Sequence, residues 1–152
     1  NGPDIDFDFL SAVTSEYLGN LDMALGPSDL AALEGELDLS GYGISELDGI
    51  EYCRAVTRLN LTNNRIDNLY SLRYLVYLRE LFLAENHIHS LDHLIELFNL
   101  EILDVTRNDI EELAPLFELE NLKFVDAREN PLRFSEEIRE LERRGVVVLY
   151  DM

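Results

Sequence analysis

The sequence predicts an α/β solenoid, in which a parallel β-sheet arc carries helical or 3₁₀ segments on its convex side. Three observations predict this fold: an apolar strand pattern that recurs every 22 residues, a polar turn residue with the same step, and non-repeating ends that suit caps. The 152 residues match the size of a single domain. We divide it into an amino-terminal cap (1–36), repeats (37–132) and a carboxyl-terminal cap (133–152).

Each repeat begins with a short strand in which apolar and outward-facing residues alternate. The apolar pairs start at Leu37, Leu59, Leu81, Leu103 and Val125. After a turn, apolar residues recur at every third position, a spacing typical of a tight helical or 3₁₀ segment. Because a lone repeat cannot bury both of its apolar edges, we expect the repeats to stack around one core, with Leu59, Leu81 and Leu103 almost fully buried.

An asparagine follows the strand at the same place in four of the repeats. Its side-chain amide suits a turn because it can bond backbone groups that bend away from the strand, and stacked asparagines can bond successive turns. In the first repeat Tyr42 takes this place between Gly41 and Gly43, so we expect that rung to be looser. The other four residues are Asn64, Asn86, Asn108 and Asn130.

The pattern L-x-x-L-x-L-x-x-N-x-I-x-x-L-x-x-L-x-x-L, with its constant step of 22 over residues 37–132, resembles that of leucine-rich repeat proteins. It is similar to the short-repeat class shared by bacterial internalins and eukaryotic protein-phosphatase regulators. The resemblance implies a rigid solenoid that binds other proteins without catalysis.

The amino-terminal segment predicts two helices before the first strand. Residues 8–19 place apolar side chains on one helical stripe, and Gly19 can end that helix. A second short helix is predicted over Pro27–Leu33. Together with the first repeat, this arrangement resembles the amino-terminal cap of secreted or surface-attached bacterial leucine-rich repeat proteins.

The carboxyl-terminal segment predicts a helix and a sixth strand. Ser135 is a plausible N-cap for a helix over Glu136–Arg144, and Gly145 frees the chain for an apolar run. Adding 22 to position 125 gives 147, so Val147 and Leu149 are predicted to point inward. With caps at both ends, we expect a complete solenoid domain.

The charge balance limits the class of partner. Asp and Glu number 31 against 12 Lys and Arg, a net charge of −19, and residues 1–53 contain no base. Such a surface repels a phosphate backbone, so nucleic acid and anionic lipid are poor partners. No apolar run approaches the roughly 20 residues that cross a bilayer. The acidic end either attracts a partner with a basic patch or serves solubility, and we expect a monomer.

No catalytic or metal-binding pattern emerges from the sequence. Cys53 occupies an inward position of the apolar ladder, where a small buried side chain is expected to be inert. His87, His89 and His93 have no acid or cysteine at a known metal-ligand spacing. We therefore predict a protein that is not an enzyme and holds no metal or cofactor.

The outward positions of the strands predict a binding face. Three columns of side chains should tile the concave sheet: those before, between and after the inward pair of each rung. Apolar residues cluster in the second half, where charged residues flank them, as at protein-recognition surfaces. The alternative is that they only pack as cross-strand neighbours. The candidate partner-binding residues are Arg58, Glu80, Phe82, Ile102, Asp104, Phe124, Asp126, Arg128, Val148 and Tyr150.

Two hypotheses for function remain open at this point. The first is a non-enzymatic protein-binding module of a secreted or cell-surface bacterial protein, which the caps favour. The second is a cytoplasmic regulatory subunit that resembles the leucine-rich repeat phosphatase regulators.

Overall fold

A computed structural model describes residues 7–18 and 25–152 of the chain. Four 3₁₀ helices, Ile50–Tyr52, Tyr70–Tyr74, Asp92–Leu94 and Ala114–Glu118, lie between strands. The remaining elements in chain order are β1 (Phe7–Asp8), α1 (Phe9–Leu18), α2 (Pro27–Ala31), β2 (Glu34–Asp38), β3 (Ile44–Glu46), β4 (Ala55–Asn60), β5 (Glu80–Phe82), β6 (Ile102–Asp104), β7 (Phe124–Asp126), α3 (Ser135–Arg143) and β8 (Val147–Leu149).

The strands form the predicted parallel sheet. It has six strands in the order β2-β4-β5-β6-β7-β8, so each strand lies beside its neighbour in the repeat. From β4 to β7 the register advances by 22 residues at every step, and Leu59, Leu81, Leu103 and Val125 lie side by side. This arrangement confirms the leucine-rich repeat solenoid.

The core lies between the sheet and the convex segments. Leu59, Leu81 and Leu103 each expose 0% of their surface, as predicted. The leucines that recur every third position, such as Leu69 and Leu72, are buried from the other side. Each 3₁₀ segment therefore closes one rung of a continuous apolar core, and no rung is stable without its neighbours.

The buried asparagines join successive rungs, as the sequence predicts. Nδ2 of Asn86 donates to the Leu61 carbonyl of the preceding rung at 3.0 Å and to the Leu83 carbonyl of its own rung at 3.1 Å. Its Oδ1 accepts from the Ile66 amide at 2.9 Å. Asn64, Asn108 and Asn130 repeat this pattern. Each side chain thus satisfies both donors and an acceptor where water cannot reach.

Tyr42 replaces the asparagine in the first repeat and connects it to the cap. Its hydroxyl bonds Oε1 of Glu16 on α1 at 2.5 Å, while its backbone amide donates to Asn64 Oδ1 at 3.1 Å. The first rung therefore exchanges an asparagine ladder for a link to the amino-terminal helix. Nothing in these bonds bears on whether the rung is looser.

The amino-terminal cap contains a pairing that the sequence does not reveal. β1 runs parallel to β3 in a separate two-stranded sheet, and α1 follows β1 directly. Phe9 and Val13 of α1 are buried, but Leu10 and Tyr17, predicted on the same stripe, are 39% and 46% exposed. Leu10 lies against Gly49, where a Cβ atom would approach its Cδ2 to 3.1 Å. Gly19, the predicted end of this helix, lies outside the described residues.

The last strand is shifted by one residue from its predicted register. Val125 lies beside Val148, so Val148 points inward and Val147 outward. Val146 and Val148, predicted on the concave face, are buried, and Val147 is 56% exposed. The return path here is an α-helix, which rises about 1.5 Å per residue against about 2.0 Å in a 3₁₀ helix, so it needs one more residue.

The end of α3 accommodates that extra residue. Gly145 adopts a φ of 88°, and the Val146 amide donates back to the Leu141 carbonyl at 3.0 Å. This is the closure typical of a helix that ends at a left-handed glycine. The helix itself begins at Ser135, one residue before the predicted Glu136, with Phe134 as its N-cap.

An isosteric pair of substitutions tests the shifted register. Val148→Thr is expected to lower the free energy of unfolding by about 2 kcal/mol, because it buries a hydroxyl without an assigned partner. Val147→Thr adds the same hydroxyl on the exposed face and is expected to change stability by less than about 0.5 kcal/mol. Urea denaturation measures both. Equal effects, or a larger effect at Val147, would restore the unshifted register.

Candidate functional site

The concave face is divided into a charged half and an apolar half. The first outward column reads Glu36, Arg58, Glu80, Ile102, Phe124 and Val147 along the sheet. The second column reads Asp38, Asn60, Phe82, Asp104, Asp126 and Leu149. The sheet therefore changes from charged to apolar near its middle.

Arg58 organises the charged half. Its guanidinium lies 3.7 Å from a Glu36 carboxylate oxygen and 3.8 Å from one of Glu80. The same guanidinium lies over the ring of Phe82, with 5.0 Å between Cζ and the ring centroid. Arg58 thus covers one edge of the apolar half with a cation over an aromatic face.

An apolar strip follows, which we define as Phe82, Ile102, Phe124 and Val147. Ile102, Phe124 and Val147 are direct cross-strand neighbours in one column, and Phe82 lies in the adjacent column. The first three residues of the strip are half-buried, and only Val147 is largely exposed. Cross-strand packing therefore covers part of each ring but leaves a continuous apolar surface open to solvent.

An acidic groove borders the strip where the strands end. It has a volume of about 680 Å³. Asp126 is buried at its base and binds Arg128 through two hydrogen bonds of 2.9 Å and 2.7 Å. This pairing raises the pKa of the Arg128 guanidinium. The residues that line the groove are Ala84, Glu85, Asp104, Thr106, Arg107, Asp126, Arg128, Glu129 and Asp151.

The outer wall of this groove is a line of left-handed turn residues. Arg107 lies between Glu85 and Glu129, with donor–acceptor distances of 2.9 Å and 2.8 Å. All three residues have φ between 56° and 59°. With five carboxylates and two guanidinium groups in its lining, the groove favours a cationic group on a partner.

The opposite edge of the sheet has a smaller ion-pair ladder. Arg79 and Lys123 both donate to Glu101, with shortest distances of 2.7 Å and 3.2 Å. These hydrogen bonds hold the pKa of the Glu101 carboxyl below its usual value. The stabilisation is present above the pKa of the unfolded carboxyl and is lost as the pH falls through the lower folded pKa.

The structure places most of the predicted site residues together on this face, with two corrections. Val148 is buried in the core, because the register of β8 is shifted. Tyr150 is 45% exposed, but the same shift moves it out of the column of Arg128. Asp151 occupies that place instead, and its Oδ1 accepts from the Glu129 amide at 2.8 Å.

The sequence analysis missed Asp151, Val147 and Leu149 as members of the concave face. It also missed the turn residues of the groove wall, since only strand positions were assigned to the face. Their signal was the step of 22 that relates Glu85, Arg107 and Glu129. Alternating charge at one repeat position indicates a ladder along the sheet edge.

No arrangement typical of catalysis is found in the part of the chain that the structure describes. Residues 7–18 and 25–152 contain no group of three His, Cys, Asp or Glu side chains placed to hold a metal ion. His93 packs edge-on against Tyr70, with ring centroids 5.3 Å apart. None of the described helices has the length and apolar character needed to cross a membrane.

Cys53 is fully buried, as predicted. Burial, with a smaller contribution from the Glu51 charge, raises the pKa of its thiol to about 12. We expect native Cys53 to react with a thiol reagent at pH 8 at least about a hundredfold more slowly than the unfolded chain, because little thiolate forms and access is blocked. Ellman's reagent with and without denaturant measures both rates. Similar rates would contradict the core position.

Comparison with known proteins supports the fold. No protein-family model and no curated protein matches the sequence. Among solved structures, the chain is similar to internalin C2 of Listeria monocytogenes, with 24% identity and a TM-score of 0.72 over 82% of this chain and 54% of that one. It is also similar to internalin F of the same organism, with 19% identity and a TM-score of 0.73 over 97% and 51%.

A leucine-rich repeat protein of Leptospira interrogans is similar as well. Its identity is 18% and its TM-score 0.62, over 82% of this chain and 38% of that protein. The chain spans about half the length of the two internalins. At these identities, the likeness shows a shared internalin-like leucine-rich repeat fold.

Proposed function

On the basis of this internalin-like fold, we propose that the domain is a non-enzymatic module that binds a protein partner on its concave sheet face. The observation that carries the proposal is the apolar strip beside the acidic groove. Both features lie on one rigid face, and neither is needed to close a rung. An apolar centre with a charged rim is the usual anatomy of a protein interface.

The apolar strip supplies the expected centre of the interface. Ile102 and Phe124 are held from below by strands whose inward residues are fully buried, so their positions are fixed before binding. A preorganised surface avoids part of the entropic cost of ordering side chains on association. Phe124, which has Ile102 and Val147 beside it, is the expected anchor.

The acidic groove supplies the expected selectivity. Asp104 and Asp151 line it on one side of Arg128, and Glu85 and Glu129 line its wall. A partner with a Lys or Arg at the edge of an apolar patch would place that base in the groove. Charges at the rim act mainly on the association rate and its salt dependence.

Export to the bacterial surface, or secretion, is part of the same proposal. It rests on the cap resemblance and on the bacterial leucine-rich repeat structures named above. The alternative, an intracellular regulatory subunit, gains no support from those structures.

A matched pair of variants tests the proposed face. Immobilised wild-type domain, Phe124→Ala and Phe134→Ala are exposed to the same protein extract, and bound proteins are quantified by mass spectrometry. Phe134 is 40% exposed at the start of α3, away from the concave columns, so it controls for the loss of an exposed ring.

We expect a protein that wild type and Phe134→Ala retain equally and that Phe124→Ala loses. Recovery of the same proteins by all three forms would contradict binding through the apolar strip.

A further inference from the structure

A second exposed apolar surface lies on the flank of the solenoid, where the 3₁₀ segment of the second full repeat returns to the sheet. We define the flank patch as Tyr70, Tyr74, Val76 and Tyr77, which are 47%, 40%, 38% and 60% exposed. A groove of about 630 Å³ crosses it, lined by Tyr74, Val76, Tyr77, Arg54, Arg73 and Glu96.

The fold does not require aromatic residues at these positions. A step of 22 takes Tyr77 to Asn99 and then to Asn121. Nδ2 of Asn99 donates to the Val76 carbonyl at 2.8 Å, and Nδ2 of Asn121 to the Phe98 carbonyl at 2.7 Å. An asparagine here therefore bonds the preceding rung, which the exposed Tyr77 phenol does not replace. The same step takes Tyr74 to Glu96 and Glu118.

Two arginines are fixed within the patch. Cζ of Arg73 lies 3.4 Å from the ring centroid of Tyr70 and 4.7 Å from that of Tyr74. Its Nη2 also donates to both phenol oxygens. Arg54 lies over the other side of the cluster, 5.7 Å from the Tyr74 centroid. The aromatic rings thus hold two guanidinium groups in place at the groove.

These arginines differ from most bases of the protein in their charge balance. Across residues 7–18 and 25–152, neither Arg54 nor Arg73 has a carboxylate partner. Bases that do form an ion pair are Arg58, Arg79, Arg107, Lys123, Arg128, Arg133, Arg139, Arg143 and Arg144. In a chain of net charge −19, two cations without a carboxylate partner beside exposed aromatic rings stand out.

We propose that the flank patch is a second docking site, which binds a protein segment that presents a carboxylate beside an apolar side chain. The carboxylate would pair with Arg54 and Arg73, for which a guanidinium fork is the fitting donor. The apolar side chain would lie between Tyr74 and Tyr77. Nucleic acid, the other common anionic ligand of Arg and Tyr, is disfavoured by the charge of the whole chain.

Random dodecamer peptides displayed on phage test this site. They are selected on the wild-type domain and counter-selected on the double variant Arg54→Gln, Arg73→Gln, whose folding is checked by circular dichroism. We expect the peptides specific for wild type to carry an excess of Asp or Glu next to an apolar residue. Their affinity, measured by fluorescence anisotropy, should fall at least about tenfold when the acids become amides or when Tyr77→Ala is introduced.

Two controls locate the site. Arg139→Gln removes an exposed arginine from α3, and Phe124→Ala alters the concave face; both should bind the selected peptides as wild type does. Affinity lost equally with Phe124→Ala would place the peptides on the concave face and overturn the proposal. So would wild-type-specific peptides without excess acid, or no such peptides at all.

A second copy of this acidic chain is the remaining occupant to be tested. Sedimentation equilibrium over a hundredfold concentration range should show a monomer for wild type and for Tyr77→Ala alike. A dimer that Tyr77→Ala abolishes would show that the patch joins two copies and would overturn the proposal.

Discussion

Asn108→Asp is expected to lower the free energy of unfolding by about 3 kcal/mol or more. Nδ2 of Asn108 donates to the carbonyls of Leu83, Val105 and Thr106 at 2.9, 3.1 and 3.2 Å, and Oδ1 accepts from the Ile88 amide at 3.0 Å. A carboxylate keeps the acceptor but turns the donor into a negative charge that faces carbonyl oxygens. Losing buried hydrogen bonds costs about 1–3 kcal/mol, and more for a charged group. Urea denaturation at pH 7 measures the change.

Asn68→Asp is the matched control. The Asn68 side chain is exposed, and its Oδ1 accepts from the Tyr70 amide at 2.8 Å, a bond that aspartate also makes. We expect a change of less than about 0.5 kcal/mol. Comparable losses at both positions would mean that the buried ladder contributes nothing specific, and that the substitution acts through charge alone.

Leu103→Ala is expected to cost about 2–5 kcal/mol of stability through the cavity that it leaves. Leu103 is fully buried in the middle of the six-stranded sheet, between Leu81 and Val125. The neighbouring rungs are fixed by their own hydrogen bonds, so the cavity cannot readily collapse. Thermal and urea unfolding check the loss. A change below about 1 kcal/mol would contradict a tightly packed core at this rung.

The repeats could be predicted from the sequence because their period does not vary between residues 37 and 132. A fixed step determines which residues lie side by side, so the burial of Leu59, Leu81 and Leu103 followed directly. The asparagine ladder followed for the same reason. One amide at the same turn of each rung can reach only its own turn and the one before it.

The last strand could not be placed by the same rule. α3 replaces a 3₁₀ segment, and the sequence distance from Val125 to its partner Val148 becomes 23 residues. Nothing in the apolar run Val146–Val148 distinguishes the two registers, since all three residues are valine. The error moved Val148 to the concave face and hid Val147 and Asp151.

The surface was predicted less completely than the core. Half-burial of Phe124 depends on the side chains of Ile102 and Val147, and the position of Val147 required the correct register. The flank patch was missed because only strand positions were treated as a binding face. Its signal was present in Tyr77, which stands where later rungs have asparagine.

The most direct test of the concave-face account is a paired measurement on Phe124→Ala. The free energy of unfolding is measured by urea denaturation, and affinity is measured by titration of a partner recovered with the wild-type domain. We predict that binding weakens by about 2 kcal/mol, roughly 30-fold, because an anchor at the centre of an interface is lost. Stability should fall by only about 1 kcal/mol, since the ring is half-buried. Unchanged affinity, or a loss of stability equal to that of Leu103→Ala, would contradict the assignment of Phe124 to a binding face.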